Sequence, residues 1–114
     1  MKKIYLASPY SHPDPAVREA RNLSVCKKAG ELMNHGYIVY SPIAHTHPIA
    51  VVCNLPTDWE FWKQYDISFI EWADEVWIYT MPGWEKSRGI IAEIRSARNL
   101  NKPVEYLQWN NCQG

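Results

Sequence analysis

The residues best equipped for chemistry lie in one stretch, residues 81–93, MPGWEKSRGIIAE. It follows an apolar run at residues 76–79 that reads as a buried strand, and it opens a helix whose second turn carries Glu93. A Gly/Pro loop passing from a strand into a helix start is an anion site, because unpaired backbone N–H groups and the helix dipole both point into the loop. Ser87, Arg88 and Gly89 add a hydroxyl, a guanidinium and a position with no side chain to obstruct a ligand. Glu93 lies six residues beyond Ser87, so one part of the segment can hold a phosphate while the other attacks carbon. Periodicity alone also accommodates a plainer reading, a surface carboxylate stabilised by the helix dipole. Glu93 borders the expected buried stripe of Ile90, Ile91, Ile94 and Ala97 on the side carrying Gly89, away from Arg88 and Arg95.

A second carboxylate stands out by helical projection. In the expected helix at residues 59–73, Trp59, Trp62, Phe69, Ile70 and Ala73 define the apolar face, with Glu60, Gln64 and Glu71 opposite. Asp66 falls in the middle of the apolar face, where an unpaired charge is costly. It must be paired, hydrogen-bonded, protonated or open to a cleft, as a structural aspartate or as one facing a ligand. His45 and His47 form an HTH pair, with His12 elsewhere, but no nearby Cys or carboxylate completes a zinc set. No metal is expected, and the pair reads as structural or substrate-lining. The six tryptophans and seven tyrosines are the compositional anomaly. Packing is the ordinary use of such residues. Trp59 and Trp62 can stack on a base, although packing suits Trp59 better. Trp84, beside Ser87, is the best candidate for a ligand contact.

The elements that must position these residues alternate in type. Residues 3–7 form a short buried strand. Residues 14–35 form a helix with Ala16, Ala20, Leu23, Cys26, Gly30 and Met33 as its stripe, starting near Asp14 and stopping at Gly36. A second strand spans residues 37–41, a long Pro- and His-rich loop residues 42–57, and a second helix residues 59–73 with Thr57 or Asp58 as cap. A third strand at residues 75–79, a third helix at 87–99 and a fourth strand at 103–107 complete the order. This alternation calls for an α/β flavodoxin- or Rossmann-like three-layer sandwich, its parallel sheet having about four to five strands. Ligands of such sheets lie at the carboxyl ends of the strands, so the loops after Ala7, Ser41 and Tyr79 converge on one cleft.

Composition sets the outer bounds. A chain of 114 residues holds one domain, residues 1–114, with 108–114 as a polar tail apart from Trp109. Twelve basic and twelve acidic residues cancel, leaving no global field for nucleic acid or an anionic membrane. The apolar runs are strand-sized and no signal-peptide pattern opens the chain, so neither a membrane span nor export is expected. Cys26, Cys53 and Cys112 are odd in number and far apart, which argues against a disulfide framework and for a reducing cytoplasm.

The order of these motifs carries a family resemblance. IYLASPYS at the start, SP after the second strand, Asp66 before Ala73 and Asp74, then GWEKSRGIIAE and KPV resemble the nucleoside 2-deoxyribosyltransferase-like superfamily over residues 3–107. Within it the chain looks closest to a small group of bacterial and phage-type proteins sharing YLASPYS, SHP and PGW–S–GI–E. The resemblance implies cleavage or exchange of the N-glycosidic bond of nucleosides or nucleotides. Glu93 matches the glutamate that attacks the anomeric carbon, Asp66 the aspartate that assists the departing base, and Tyr5 a tyrosine that holds the nucleophile. Ser87 matches the position at which nucleotide N-hydrolases carry a phosphate-binding serine and nucleoside transferases an aspartate. Ser8 matches a second phosphate contact, with Arg88 and Gly89 completing the cradle and Arg18 or Arg21 able to add charge. His45 and Tyr10 fall where relatives approach base or sugar. The loop SPYSHPDP departs from the more glycine-rich loop of the characterised nucleotide hydrolases. The resemblance thus implies a nucleoside 5′-monophosphate N-glycosidase without a cofactor, with a deoxyribosyltransferase or a non-catalytic nucleotide-binding module as alternatives. It also implies a homodimer or higher homo-oligomer, in which residues 108–111 can complete a neighbour's pocket.

Overall fold

The structure, a computed structural model, describes residues 1–109. Four strands, β1 (Lys3–Ala7), β2 (Ile38–Tyr40), β3 (Glu75–Thr80) and β4 (Val104–Gln108), pair in parallel in the order β2-β1-β3-β4. Four helices, α1 (Pro15–Asn34), α2 (Pro42–Cys53), α3 (Trp59–Trp72) and α4 (Arg88–Asn99), connect them. The α/β class and parallel sheet expected from the sequence are therefore present. Strand register sets Ile4 opposite both Val39 and Glu75, and Leu6 opposite Trp77.

Alternation along the strands splits the core into two layers. Tyr5, Ala7, Val76 and Ile78 pack against Ile70 and Ala73 of the α3 region and Ile90 and Ala97 of α4. Ile4, Leu6, Trp77 and Tyr79 face Val25 and Ala29 of α1 on the other side. Each fully buried Ile or Leu contributes about 1.5–3 kcal/mol, and both faces of the parallel sheet are covered, as such sheets require. From β1 the chain crosses to β2 on one side, and β3 lies on the other. The carboxyl ends of β1 and β3 therefore flank the switch in strand order, the crevice in which open α/β sheets bind ligands.

Three sequence expectations are corrected here. Residues 42–53 are a helix rather than loop. Ser41 caps it, its Oγ accepting from Ala44 N at 3.2 Å, Pro42 fits the first turn, and Asn54 ends it in the left-handed conformation (φ 54°). The segment is apolar almost all round and so has no readable period, and Pro48 forfeits only the hydrogen bond to the carbonyl one turn back. Second, α1 turns a different face inward: Val25, Ala29 and Leu32 pack on the sheet, whereas Leu23 and Met33 are each 53% exposed. The true face is masked in sequence because Arg21 and Lys28 lie on it, burying their stems, with the Lys28 ammonium over the Tyr79 ring at 5.5 Å. Third, α4 buries Ile90, Glu93 and Ala97, and Ile91 is 45% exposed. A carboxylate thus occupies an inward position that the apolar pattern assigned to isoleucine.

Of the expected interface tail, Asn110 and Asn111 lie outside the described residues, as does Cys112. Trp109 is described. Its indole N–H donates to Ser24 Oγ at 3.2 Å, tying the end of β4 to α1. No helix among the described residues is long and apolar enough to cross a membrane.

Candidate active site

A cavity of about 420 Å³ opens at the carboxyl ends of β1 and β3, within the range of small-molecule sites. It is walled by the loop after β1, by α2 and by the starts of α3 and α4. Its polar depth is formed by Glu93 and Asp66, buried at 4% and 8% exposure. Tyr5, wholly buried on β1, donates its hydroxyl proton to Glu93 Oε2. The inner face of α4 thereby meets the central strand through this hydrogen bond.

The electrostatics follow from this burial. Removal from water pushes Glu93 up to about 8, the Asp66 charge pushes in the same direction, and the Tyr5 hydrogen bond opposes both. Asp66 is raised to about 7 by burial. Asp66 Oδ1 has no hydrogen-bond partner among the described residues. Neither carboxyl is neutralised by an ion pair, so the two share a desolvated pocket and titrate as a coupled pair. Such a pair can supply one ionised and one protonated oxygen near neutral pH.

Ser87 caps α4, its Oγ accepting from Ile90 N at 3.2 Å, which leaves its hydroxyl proton for an incoming acceptor. Arg88, Gly89 and Lys86 line the cavity beside it. In the loop after β1, Ser8 also lines the cavity and is buried with no partner for its Oγ among the described residues. Two hydroxyls, a helix N-terminus and cations thus border the same space as the paired carboxyls. Tyr10 also lines it.

His45 and Trp84 do not. His45 sits on the exposed side of α2, its ring parallel to Tyr65 at 6.2 Å between centroids. Helical rotation puts Ile43, Thr46 and Ala50, which share one face of α2, on the cavity in its stead. Trp84, in a short 3₁₀ turn (Trp84–Lys86), packs against Tyr106 and the core side of α4. Trp59 and Trp62 supply the aromatic wall, so a cavity-lining place falls to Trp59, for which packing had been preferred. Among the described residues no group of three or more His, Cys, Asp or Glu side chains is arranged for a metal ion.

The resemblance gives Arg18 or Arg21 as able to add charge to the phosphate cradle. In the structure Arg21 lines the cavity, its Nη1 donating to the carbonyls of Tyr10 at 3.3 Å and Ser11 at 3.0 Å. It rests over Gly83, whose φ of +96° favours glycine and where an added Cβ would stand 2.7 Å from Arg21 Nη2. Gly83 was the one available signal, because a glycine inside the loop announces close approach. Gly83→Ala is expected to lose about 1–2 kcal/mol from the left-handed backbone alone, read as a lower denaturation midpoint. Gly89→Ala is the contrast: its Cβ meets only Ser87 Oγ at 3.8 Å. That variant should match or exceed wild-type stability by about 0.5–1 kcal/mol while crowding the cavity.

A family model described as "Domain of unknown function (DUF1937)" matches residues 2–109. No curated protein matches the chain significantly. In fold the chain is similar to a solved structure of the 2-deoxyribosyltransferase from the psychrotolerant bacterium Bacillus psychrosaccharolyticus. The TM-score is 0.66 at 24% identity, over 96% of this chain and 74% of the other.

Proposed function

We propose that this chain, which belongs to the DUF1937 family and with it to the deoxyribosyltransferase-like superfamily, is an N-glycosidase acting on a (deoxy)nucleoside 5′-monophosphate. The observation that carries the reading is Glu93 itself: a buried, unneutralised carboxyl held by Tyr5, beside the equally buried Asp66, in the cavity at the topological switch point. A surface carboxylate would need none of this.

In the proposed reaction, ionised Glu93 attacks the anomeric carbon as the bond to the base breaks, and the bonding pair leaves with the base. Asp66 donates its proton to the leaving nitrogen. Water then attacks the same carbon, the ester to Glu93 breaks, and the water proton returns to Asp66. The arrangement parallels a retaining glycosidase, with two carboxyls in two roles. Tyr5 acts on Glu93 by hydrogen-bonding its ionised form. Ser87, Arg88, Gly89 and Ser8 hold the 5′-phosphate, while Trp59 and Trp62 stack on the base. No cofactor is needed for this sequence of steps.

The serine supports a nucleotide over a nucleoside. A hydroxyl at a helix N-terminus donates to phosphate oxygens, whereas a carboxylate there would accept from a sugar hydroxyl and repel phosphate. The test is a panel of ribo- and deoxyribonucleosides and their 5′-monophosphates, including 5-hydroxymethyl pyrimidines, with free base resolved chromatographically. Base release from monophosphates and not from the matching nucleosides is the expected result. Base exchange between nucleosides without net hydrolysis would establish a transferase instead. Binding without any release of base would make the protein a nucleotide sensor.

A further inference from the structure

The histidine that first read as half of a metal pair has both ring nitrogens engaged. His47 is buried on α2 at 5% exposure. Its Nε2 lies 2.6 Å from Glu19 Oε1 on α1, and its Nδ1 2.5 Å from the Tyr10 hydroxyl in the loop after β1. The Tyr10 and His47 rings meet edge to face at 5.4 Å. Three walls of the cavity are joined by this one chain: Tyr10 and Ser11 from the loop, Thr46 beside His47 from α2, and Arg21 half a turn beyond Glu19 on α1.

The direction of the hydrogen bonds follows from the ends. An ionised Glu19 only accepts, so neutral His47 must carry its proton on Nε2. That leaves a lone pair on Nδ1, and the donor facing it is the Tyr10 O–H. Burial raises the Tyr10 phenol, so it retains the proton that it donates. The hydroxyl proton of Tyr10 is therefore spent inward, and its oxygen can act only as an acceptor, with the Arg18 guanidinium facing it from α1.

We propose that the Glu19–His47–Tyr10 chain sets the hydrogen-bond polarity of this cavity wall, making Tyr10 a specificity-determining residue that accepts from an amino or hydroxyl group of the ligand, and His47 the residue that positions it. The inference rests on the cavity being the nucleotide site proposed above, and not on the chemistry assigned to Glu93. This wall takes the donating end of a ligand, and the Ser87 side takes the accepting, phosphate-bearing end. Protonation of His47 reverses the wall: both ring nitrogens then donate, Tyr10 accepts from Nδ1–H, and its own proton is free for a ligand carbonyl. The charged and titratable groups facing the chain are few. Glu19 pairs with Nε2, Arg18 on the same helix pulls the Tyr10 phenol downward, and the Cys26 thiol feels the Glu19 charge. On α2 itself, His45 is turned toward Tyr65.

Two measurements test this. Nitrogen-15 NMR of the imidazole, assigned by its loss in His47→Asn, should show the Nε2–H tautomer with an unprotonated, hydrogen-bonded Nδ1. An Nδ1–H tautomer would overturn the proposal. Calorimetry should then compare ligands differing by one donor: deoxycytidine against deoxyuridine monophosphate, and cytidine against deoxycytidine monophosphate. Wild type is expected to favour the donor-bearing member of at least one pair by about tenfold. Tyr10→Phe should erase that preference, His47→Ala should lose it, and His47→Asn, whose Oδ1 can accept in place of Nδ1, should keep it. Melting temperatures establish that each variant is folded. A preference untouched by Tyr10→Phe, or none in wild type, overturns the inference. A Tyr10-dependent preference without base release would leave it standing and remove the glycosidase reading; base release without such a preference would do the opposite.

Discussion

Glu93→Ala is expected to abolish base release, lowering turnover by at least about 10³-fold, while a nucleoside monophosphate still raises the melting temperature. The reason is positional. Glu93 is held by Tyr5 at the floor of the cavity, and no other carboxyl near it shares that hydrogen bond. Asp66, the remaining buried acid, lacks a partner on Oδ1 and is suited to proton transfer. Asp66→Asn should therefore cost less, about 10²-fold, and cost most with the bases that leave worst. The wild-type rate should follow a bell, because the pair must hold one proton; since Glu93 is pushed higher than Asp66, the reactive form with Glu93 ionised and Asp66 protonated is the minor arrangement of that proton. Because the pair is pushed up to about 8 and about 7, the bell should be centred near those values rather than near pH 4. Glu93→Ala that still releases base at the wild-type rate would sink the mechanism. A bell centred near pH 4 would sink the shared-pocket electrostatics.

Stability is expected to fall as pH rises from about 4 to about 8, and the carboxyl pair should be the cause. Asp66 rises from 3.8 to about 7 on folding and Glu93 from 4.5 to about 8, both because burial disfavours the charged form. Well below the unfolded values of 3.8 and 4.5 both are protonated in either state, and they impose no penalty. Between the unfolded and folded values the unfolded chain has lost its protons and the folded chain holds them, so unfolding releases protons and is favoured by rising pH. Well above the folded Glu93 value of about 8 the loss is complete and levels off. The pair accounts for a few kcal/mol, on the order of one to two per carboxyl after relaxation. Glu75, lowered by its bond to Lys2, works in the opposite sense at the surface. The clean measurement is thus the difference between wild type and Asp66→Asn or Glu93→Gln in urea unfolding at pH 5 and pH 8. Each variant should gain on wild type at pH 8 relative to pH 5. Parallel curves across that range would mean that the carboxyls are ionised at no cost.

Some of this was legible in residue types and spacing. The strands announce themselves as short apolar runs, because a parallel sheet covered on both faces excludes polar residues from each. The cap at Asp14 and the helix start at Ser87 are local chemistry, with side chains serving backbone groups within three residues. Asp66 betrayed itself by standing on an apolar face. Glu93 was legible only through the order of motifs, since its own helix reads equally well with Ile91 inside.

What failed did so for one physical reason. Periodicity reports contrast between faces, and contrast disappears where a face is mixed. On α1 the inward face carries Arg21 and Lys28, so the sequence displayed a false stripe through Leu23 and Met33. On α2 apolar residues run all round, so a helix read as a loop. In the segment after β3, Trp84 looked poised for a ligand because it neighbours Ser87 in sequence, but a 3₁₀ turn rolls it toward Tyr106.

By itself, then, the sequence determined the α/β layering, the strand ends from which a site must hang, and a serine and glutamate six residues apart at one of them. These are properties of runs and spacings, and the backbone enforces them locally. Only the tertiary structure decided that Glu93 is buried against Tyr5, that Asp66 shares its pocket, that Arg21 rests on Gly83, and that Glu19, His47 and Tyr10 form one chain. Each of these contacts joins residues on different elements. Their meeting depends on how helices rotate and dock on the sheet, which no single segment specifies.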